Sequence, residues 1–162
     1  MTADVNGLNE RLIHLLIENS LKISTAESCT GGLLSALLTN VSGASEVLEE
    51  CIVTYSNEVK EKELGVCRET LEKYGAVSHD TAEQMALGIC NHTGADVGIG
   101  ITGIAGPTGG TKEKPVGTVF IGIAVNGVVS VYENHFDGDR DSVREQSCAF
   151  ALNKAIERIS EI

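Results

Sequence analysis

The sequence predicts an α/β fold, a mixed sheet with helices on both faces. Three observations carry that prediction. Helix-like and strand-like segments alternate through the first two thirds of the chain. Two β-rich runs, Val116 to Val125 and Val128 to Phe136, are joined by Asn126-Gly127. Asn-Gly is the preferred pair for a type I′ turn, so these runs are expected to form an antiparallel hairpin. A last amphipathic helix, Asp141 to Ile159, then closes the chain, with Val143, Ala151, Leu152, Ala155, Ile156 and Ile159 on its apolar side.

The earlier elements follow in order. Leu8, Leu12, Leu15 and Leu16 recur at helical spacing, with Leu21 just beyond, and predict a helix over 8–20. Lys22 to Ala26 is short and β-leaning, and the polar turn from Glu27 to Gly32 leads into the helix former LLSALL. Ser42 to Glu46 reads as a turn into a helix start, and Cys51 to Tyr55 as a β-branched strand. Ser56 or Asn57 caps a short helix through Leu64, and Thr70 to Tyr74 adds a helical turn. Ser78 caps a longer helix, and Asp96 to Thr102 is a buried-type strand running into a glycine-rich loop.

At 162 residues the chain fits one domain, 1–162, with enough apolar residues for a core. Twelve Lys and Arg against 23 Asp and Glu give a net charge of −11, which repels nucleic acid and anionic membranes. An anionic small molecule needs local cations and backbone N–H groups to overcome that field. The five cysteines, Cys29, Cys51, Cys67, Cys90 and Cys148, form no CxxC pair, which argues against a disulfide framework or a zinc site. The start, MTADVNGLNE, lacks the basic and apolar pattern of a signal peptide, and no run is long enough to cross a membrane. A cytoplasmic location is expected.

Three segments sit where strands are expected to end, the place where α/β sheets gather ligand sites. In ESCTGG, Ser28, Cys29 and Thr30 precede two glycines, and free N–H groups there can bind an oxyanion. A plain turn and helix cap explains the same string equally well. Ser28 and Cys29 are both candidate nucleophiles, and chemistry alone does not choose between them. In Tyr55 to Lys60, Lys60 falls in the first turn of a helix, where the macrodipole disfavours its charged form and suits a neutral general base. A solvated surface lysine is the bland alternative. The loop TGIAGPTGG, from Thr102 to Gly110, can form an anion-binding nest. It is neither a Walker A nor a GxGxxG sequence, and its alternative is a flexible surface loop. Arg140 precedes the last helix and can make a bidentate contact to phosphate, or simply pair with Asp139 or Asp141. The four histidines show no ligand spacing.

The strings TAESCTGGLLSALLTNVSGAS, VTYSNEVKEKELGV, TLEKYGAVS, GITGIAGPTGG, EKPVGTV and GDRDSVREQ occur in that order. Together they resemble the CinA C-terminal family, the nicotinamide mononucleotide deamidases, over essentially the whole domain from Thr25 onward. The resemblance implies a three-layer α/β/α sandwich with a mixed, mostly parallel sheet, and a tendency to dimerise. It implies hydrolysis of nicotinamide mononucleotide to nicotinic acid mononucleotide and ammonia, with no cofactor and no metal. By motif, it implies Ser28 as nucleophile, Lys60 as its base and Tyr55 as an assisting hydroxyl. Thr30, Gly31 and Gly32, with Thr102, Gly103, Ala105 and Gly106, are implied as the oxyanion and substrate cradle, and Arg140 as the phosphate partner. Some family members carry a further N-terminal domain similar to molybdopterin-binding folds, which the 162 residues here are not expected to include. A non-catalytic nucleotide-binding domain, or an amidase for another amide, is the competing reading.

Overall fold

The computed structural model describes Val5 and residues 7–162. Of the N-terminal stretch read above as unlike a signal peptide, residues 1–4 and 6 lie outside the described residues. The described chain runs α1 (Leu8–Glu18), β1 (Ile23–Glu27), α2 (Leu33–Thr39), β2 (Leu48–Val53), α3 (Asn57–Leu64), α4 (Arg68–Tyr74), α5 (His79–Thr93), β3 (Val97–Gly103), β4 (Thr118–Val125), β5 (Val128–His135) and α6 (Arg140–Ser160). A single 3₁₀ turn, Ala44–Glu46, stands where the sequence suggested a helix start.

The strands form one sheet in the order β2-β1-β3-β4-β5. β1 pairs in parallel with β2 and β3, while β3–β4 and β4–β5 are antiparallel. β4 is therefore the one strand opposed to the other four, and the sheet is mixed and mostly parallel as expected. Asn126 and Gly127 both have positive φ (48° and 81°), so the hairpin turns as its sequence requires.

β2 begins and ends earlier than the sequence suggested, so Tyr55 lies outside it. The reason is its place at the sheet edge: Glu49 can face solvent there, so a strand can hold charged residues that periodicity assigns to a loop.

The two faces of the sheet are packed differently. On one, Val97, Ile99, Ile101, Val119, Ile121 and Ile123 meet apolar residues of α1, α2 and α6 in the larger core. On the other, β3 presents Gly98 and Gly100, and Gly122 of β4 sits directly opposite Gly100. A Cβ at Gly98 would lie 2.4 Å from the Ala86 carbonyl oxygen, one at Gly100 2.7 Å from the Ala86 nitrogen, and one at Gly122 2.5 Å from the Ala82 oxygen. The glycines thus let α5 rest on bare sheet backbone, and the second cluster (Ala26, Leu64, Val66, Leu71, Met85, Ile89) fills in beside it.

This arrangement fixes where a site can form. β1, β2, β3 and β5 run the same way, so their C-terminal ends lie on one edge of the sheet, joined by the loop from β3 to β4 and the start of α6. The chain leaves β1 over one face through α2 and arrives at β3 over the other through α5, which opens a crevice between the ends of β1 and β3.

Gly100→Ala should lower folding stability by about 2 kcal/mol, because a methyl group has nowhere to go under α5. Urea unfolding measures it, and an unchanged midpoint would contradict the close packing of this helix.

Candidate active site

β1 delivers Ser28 to the crevice on a short, rigid tether. Its amide donates to the Ile101 oxygen at 3.0 Å, extending the β1–β3 ladder by one residue. On the other side, the Thr54 amide donates to the Glu27 oxygen at 2.8 Å, so the chain leaving β2 stays in register beside β1. Ser56 then caps α3, its side chain accepting from the Val59 amide, and the first turn carries Lys60 back toward β1.

Lys60 is completely buried. Its Nζ lies 3.0 Å from Ser28 Oγ, and donates to the main-chain oxygens of Thr54 at 2.6 Å and Tyr55 at 3.3 Å. Burial pushes its pKa down from 10.5 to about 8. A neutral amine has two hydrogens and one lone pair. The two carbonyls can take both hydrogens, which leaves the lone pair for the Ser28 hydroxyl.

The neighbouring thiol is built differently. Burial raises the Cys29 pKa to about 11, with the Glu27 carboxylate adding in the same direction. At neutral pH Cys29 is a protonated thiol, and the lysine points at the serine. Geometry and charge thus favour Ser28 over Cys29 as the candidate nucleophile, the choice that the sequence leaves open.

The cleft has a volume of about 340 Å³ and is lined by Ser28, Cys29, Tyr55, Lys60, Ala76, Val77, Arg140 and the stretch from Thr102 to Gly109 apart from Pro107. Its charged lining residues are Lys60 and Arg140; no lining residue is a carboxylate. In a chain of net charge −11, this is a local reversal of sign.

Several sequence-predicted residues converge here, and some do so differently from expectation. Gly103, Ala105 and Gly106 line the cleft. Thr102 also lines it, but its hydroxyl donates to the Ala76 oxygen at 2.7 Å and so fixes the opposite wall. Arg140 reaches the Gly106 oxygen at 2.8 Å and the Tyr55 hydroxyl at 3.4 Å. Tyr55 is 63% exposed, and its contact with Lys60 is through the main-chain oxygen; the phenol is turned to Arg140.

Thr30, Gly31 and Gly32 do not line the cleft. The Gly31 amide donates to the Ser28 oxygen and the Gly32 amide to Glu27 Oε2. Both glycines have positive φ, 58° and 98°, so their role is to turn the chain sharply into α2.

Two residues to which the sequence reading gave no role hold this turn. Glu27, fully buried, accepts from the amides of Gly32, Leu34 and Ser35 and from the Ser35 hydroxyl. It satisfies the N-terminus of α2 and leaves no place for a substrate anion there. The position is legible only afterwards: an acid five to eight residues before the amides it caps is not a standard capping spacing. Arg144 donates to the oxygens of Cys29 and Thr30 from the far end of the chain.

A sequence profile of the CinA C-terminal domain matches residues 5–159. The chain belongs to the CinA C-terminal domain family. It is 53% identical over 147 residues to a CinA-like protein of Kosmotoga olearia, a match that covers 91% of this chain and 36% of that protein. The chain spans about a third of the length of the curated relatives it matches. Among solved structures, the competence/damage inducible protein CihA of Agrobacterium tumefaciens superposes with a TM-score of 0.93 at 42% identity, covering 97% of this chain and 96% of that one. A CinA superfamily protein of Klebsiella pneumoniae gives 0.94 at 35% identity, covering 98% and 99%. This CinA C-terminal domain thus has the α/β/α architecture that its motifs implied.

Beyond the cleft, one group among the described residues has three potential metal ligands close together: His79, Asp80 and Glu83, within 4.8 Å of one another at the start of α5. None of them lines the cleft. Among the described residues no helix is long and apolar enough to cross a membrane.

Glu27→Gln should destabilise the fold by about 2 to 4 kcal/mol, because an amide NH₂ would face buried N–H donors. Thermal unfolding measures the loss, and a stability equal to that of the native chain would remove Glu27 from its place under the turn.

Proposed function

We propose that this domain hydrolyses the carboxamide of a pyridine mononucleotide, nicotinamide mononucleotide, through a covalent intermediate on Ser28. The observation that carries the proposal is the 3.0 Å approach of a buried, pKa-lowered Lys60 amine to Ser28 Oγ. A serine hydroxyl is a poor nucleophile unless a base within hydrogen-bond reach removes its proton; Lys60 meets the distance requirement, and its lowered pKa raises the fraction of neutral amine that can act as that base.

The steps follow from these atoms. Lys60 Nζ takes the proton of Ser28 Oγ as the oxygen attacks the carboxamide carbon. The resulting ammonium returns that proton to the leaving nitrogen, and the C–N bond breaks to release ammonia. A water molecule, giving its proton to the same amine, then attacks the acyl ester. The ammonium returns that proton to Ser28 Oγ as the ester C–O bond breaks, the acid departs, and serine and amine are restored. The reading as a nucleotide is supported by Arg140 and the loop residues from Thr102 to Gly109, Pro107 apart, lining the same cleft as Ser28. A guanidinium there can hold a phosphate while the amide sits at the serine. A domain that merely bound nucleotide would have no use for a lysine of lowered pKa against a serine, and this favours turnover over a silent pocket.

An ammonia-release assay with nicotinamide, its riboside and its mononucleotide tests the reading. Release from the mononucleotide alone is expected, with Ser28→Ala losing at least about 10³-fold in kcat. Cys29→Ala should retain most of the activity. Silence on all three substrates would favour a binding domain, and loss on Cys29→Ala with retention on Ser28→Ala would move the chemistry to the thiol.

A further inference from the structure

The turn that carries Ser28 is held by a residue more than a hundred positions away in the sequence. Arg144 lies one helical turn beyond Arg140 in α6, so the two arginines leave the same side of that helix. Arg144 Nε donates to the Cys29 oxygen at 3.2 Å and Nη2 to the Thr30 oxygen at 2.9 Å. Two successive carbonyls are thus gripped by one rigid edge of a guanidinium, a fit that lysine cannot reproduce. Asp141, largely exposed, lies 3.8 Å from the remaining nitrogen and does not compete for that edge.

The peptide plane turns this grip into a statement about the nucleophile. In a trans peptide the C=O and N–H point to opposite sides. Holding the Cys29 oxygen toward α6 turns the Thr30 amide away from it, and the Ser28 oxygen is likewise occupied by the Gly31 amide. Among the described residues the amides of Cys29 and Thr30 donate to no other residue's main chain, and the Cys29 amide lies beside its own thiol. Cys29, the residue that follows the serine, lines the cleft.

We propose that Arg144 is a positioning residue for the reaction: by clamping the carbonyls of Cys29 and Thr30 it fixes the peptide planes after Ser28, keeping the serine oxygen against Lys60 and the following amide available to a developing oxyanion. The proposal rests on Ser28 being the nucleophile, and it does not depend on which amide the enzyme cleaves. The plain alternative is that Arg144 only ties α6 to the rest of the fold.

The test uses the full chain with Arg144→Ala and Arg144→Lys. Two reactions are followed: ammonia release from nicotinamide mononucleotide, and labelling of Ser28 by an alkyl fluorophosphonate, read by intact mass. In the second, the P–F bond breaks as a P–O bond forms to Oγ, fluoride leaves, and the serine proton passes to Lys60. Labelling needs an activated serine and no nucleotide. Arg144→Ala should cut kcat and the labelling rate together, by on the order of 10²-fold, as expected for a reacting atom moved by about 1 Å. KM should stay within a few-fold, guanidinium chloride far below denaturing concentration should restore part of both rates, and Arg144→Lys should fall between.

A variant that labels and turns over like the native chain would overturn the proposal. So would a loss carried wholly by KM, or a loss that tracks unfolding and shows no recovery with guanidinium. Labelling of native Ser28 without ammonia release would refute the substrate reading while leaving the role of Arg144 standing or falling on the labelling rates. Native Ser28 that does not label at all would overturn both.

Discussion

A lysine amine with no exposed surface, set between two main-chain carbonyls and a serine oxygen, is the constraint that organises this molecule. Burying such a group costs several kcal/mol if it stays charged, and the cost falls when the proton is given up. The fold meets that cost by placing the amine where water is excluded but hydrogen-bond acceptors are not. Every element around the cleft can be read as a support for this one contact. β1 brings the serine, β2 aligns the carbonyls of Thr54 and Tyr55, and the cap at Ser56 aims the first turn of α3 inward.

The supports lie in layers of decreasing visibility. Glycines at 98, 100 and 122 seat α5 on the sheet, so the crevice between β1 and β3 has a firm floor. Glu27 satisfies the start of α2, and Arg144 holds the carbonyls of the turn from the other side of the domain. Thr102 fixes the facing wall through Ala76. These are polar contacts between buried groups, which are costly to leave half made, so the turn is held from several sides at once.

Much of this was legible in the sequence, and the parts that were not share a cause. The hairpin at Asn126-Gly127, the capped α5 and the long α6 follow from local turn chemistry and helical period. The meeting of Ser28 and Lys60 follows from strand ends gathering at one edge. The resemblance implies Gly31 and Gly32 as part of the cradle, whereas the acceptors for their amides, Glu27 and the Ser28 oxygen, become apparent only when the turn is folded. Arg144 was invisible because its partners are carbonyls, which every residue has. Tyr55 stood next to the lysine in sequence, and it does touch Lys60, but through the backbone; its phenol faces Arg140 instead.

The protonation state of Lys60 can be observed directly. With lysine labelled at Cε, a carbon NMR titration of the native chain, with the resonance assigned by its loss in Lys60→Met, reads the amine itself. A midpoint near 8 is expected, with the amine neutral above it and charged below. A midpoint at the ordinary lysine value of about 10.4 would mean that burial leaves the ammonium beside Ser28 as strong as in water, and would contradict its role as a base poised near neutral pH.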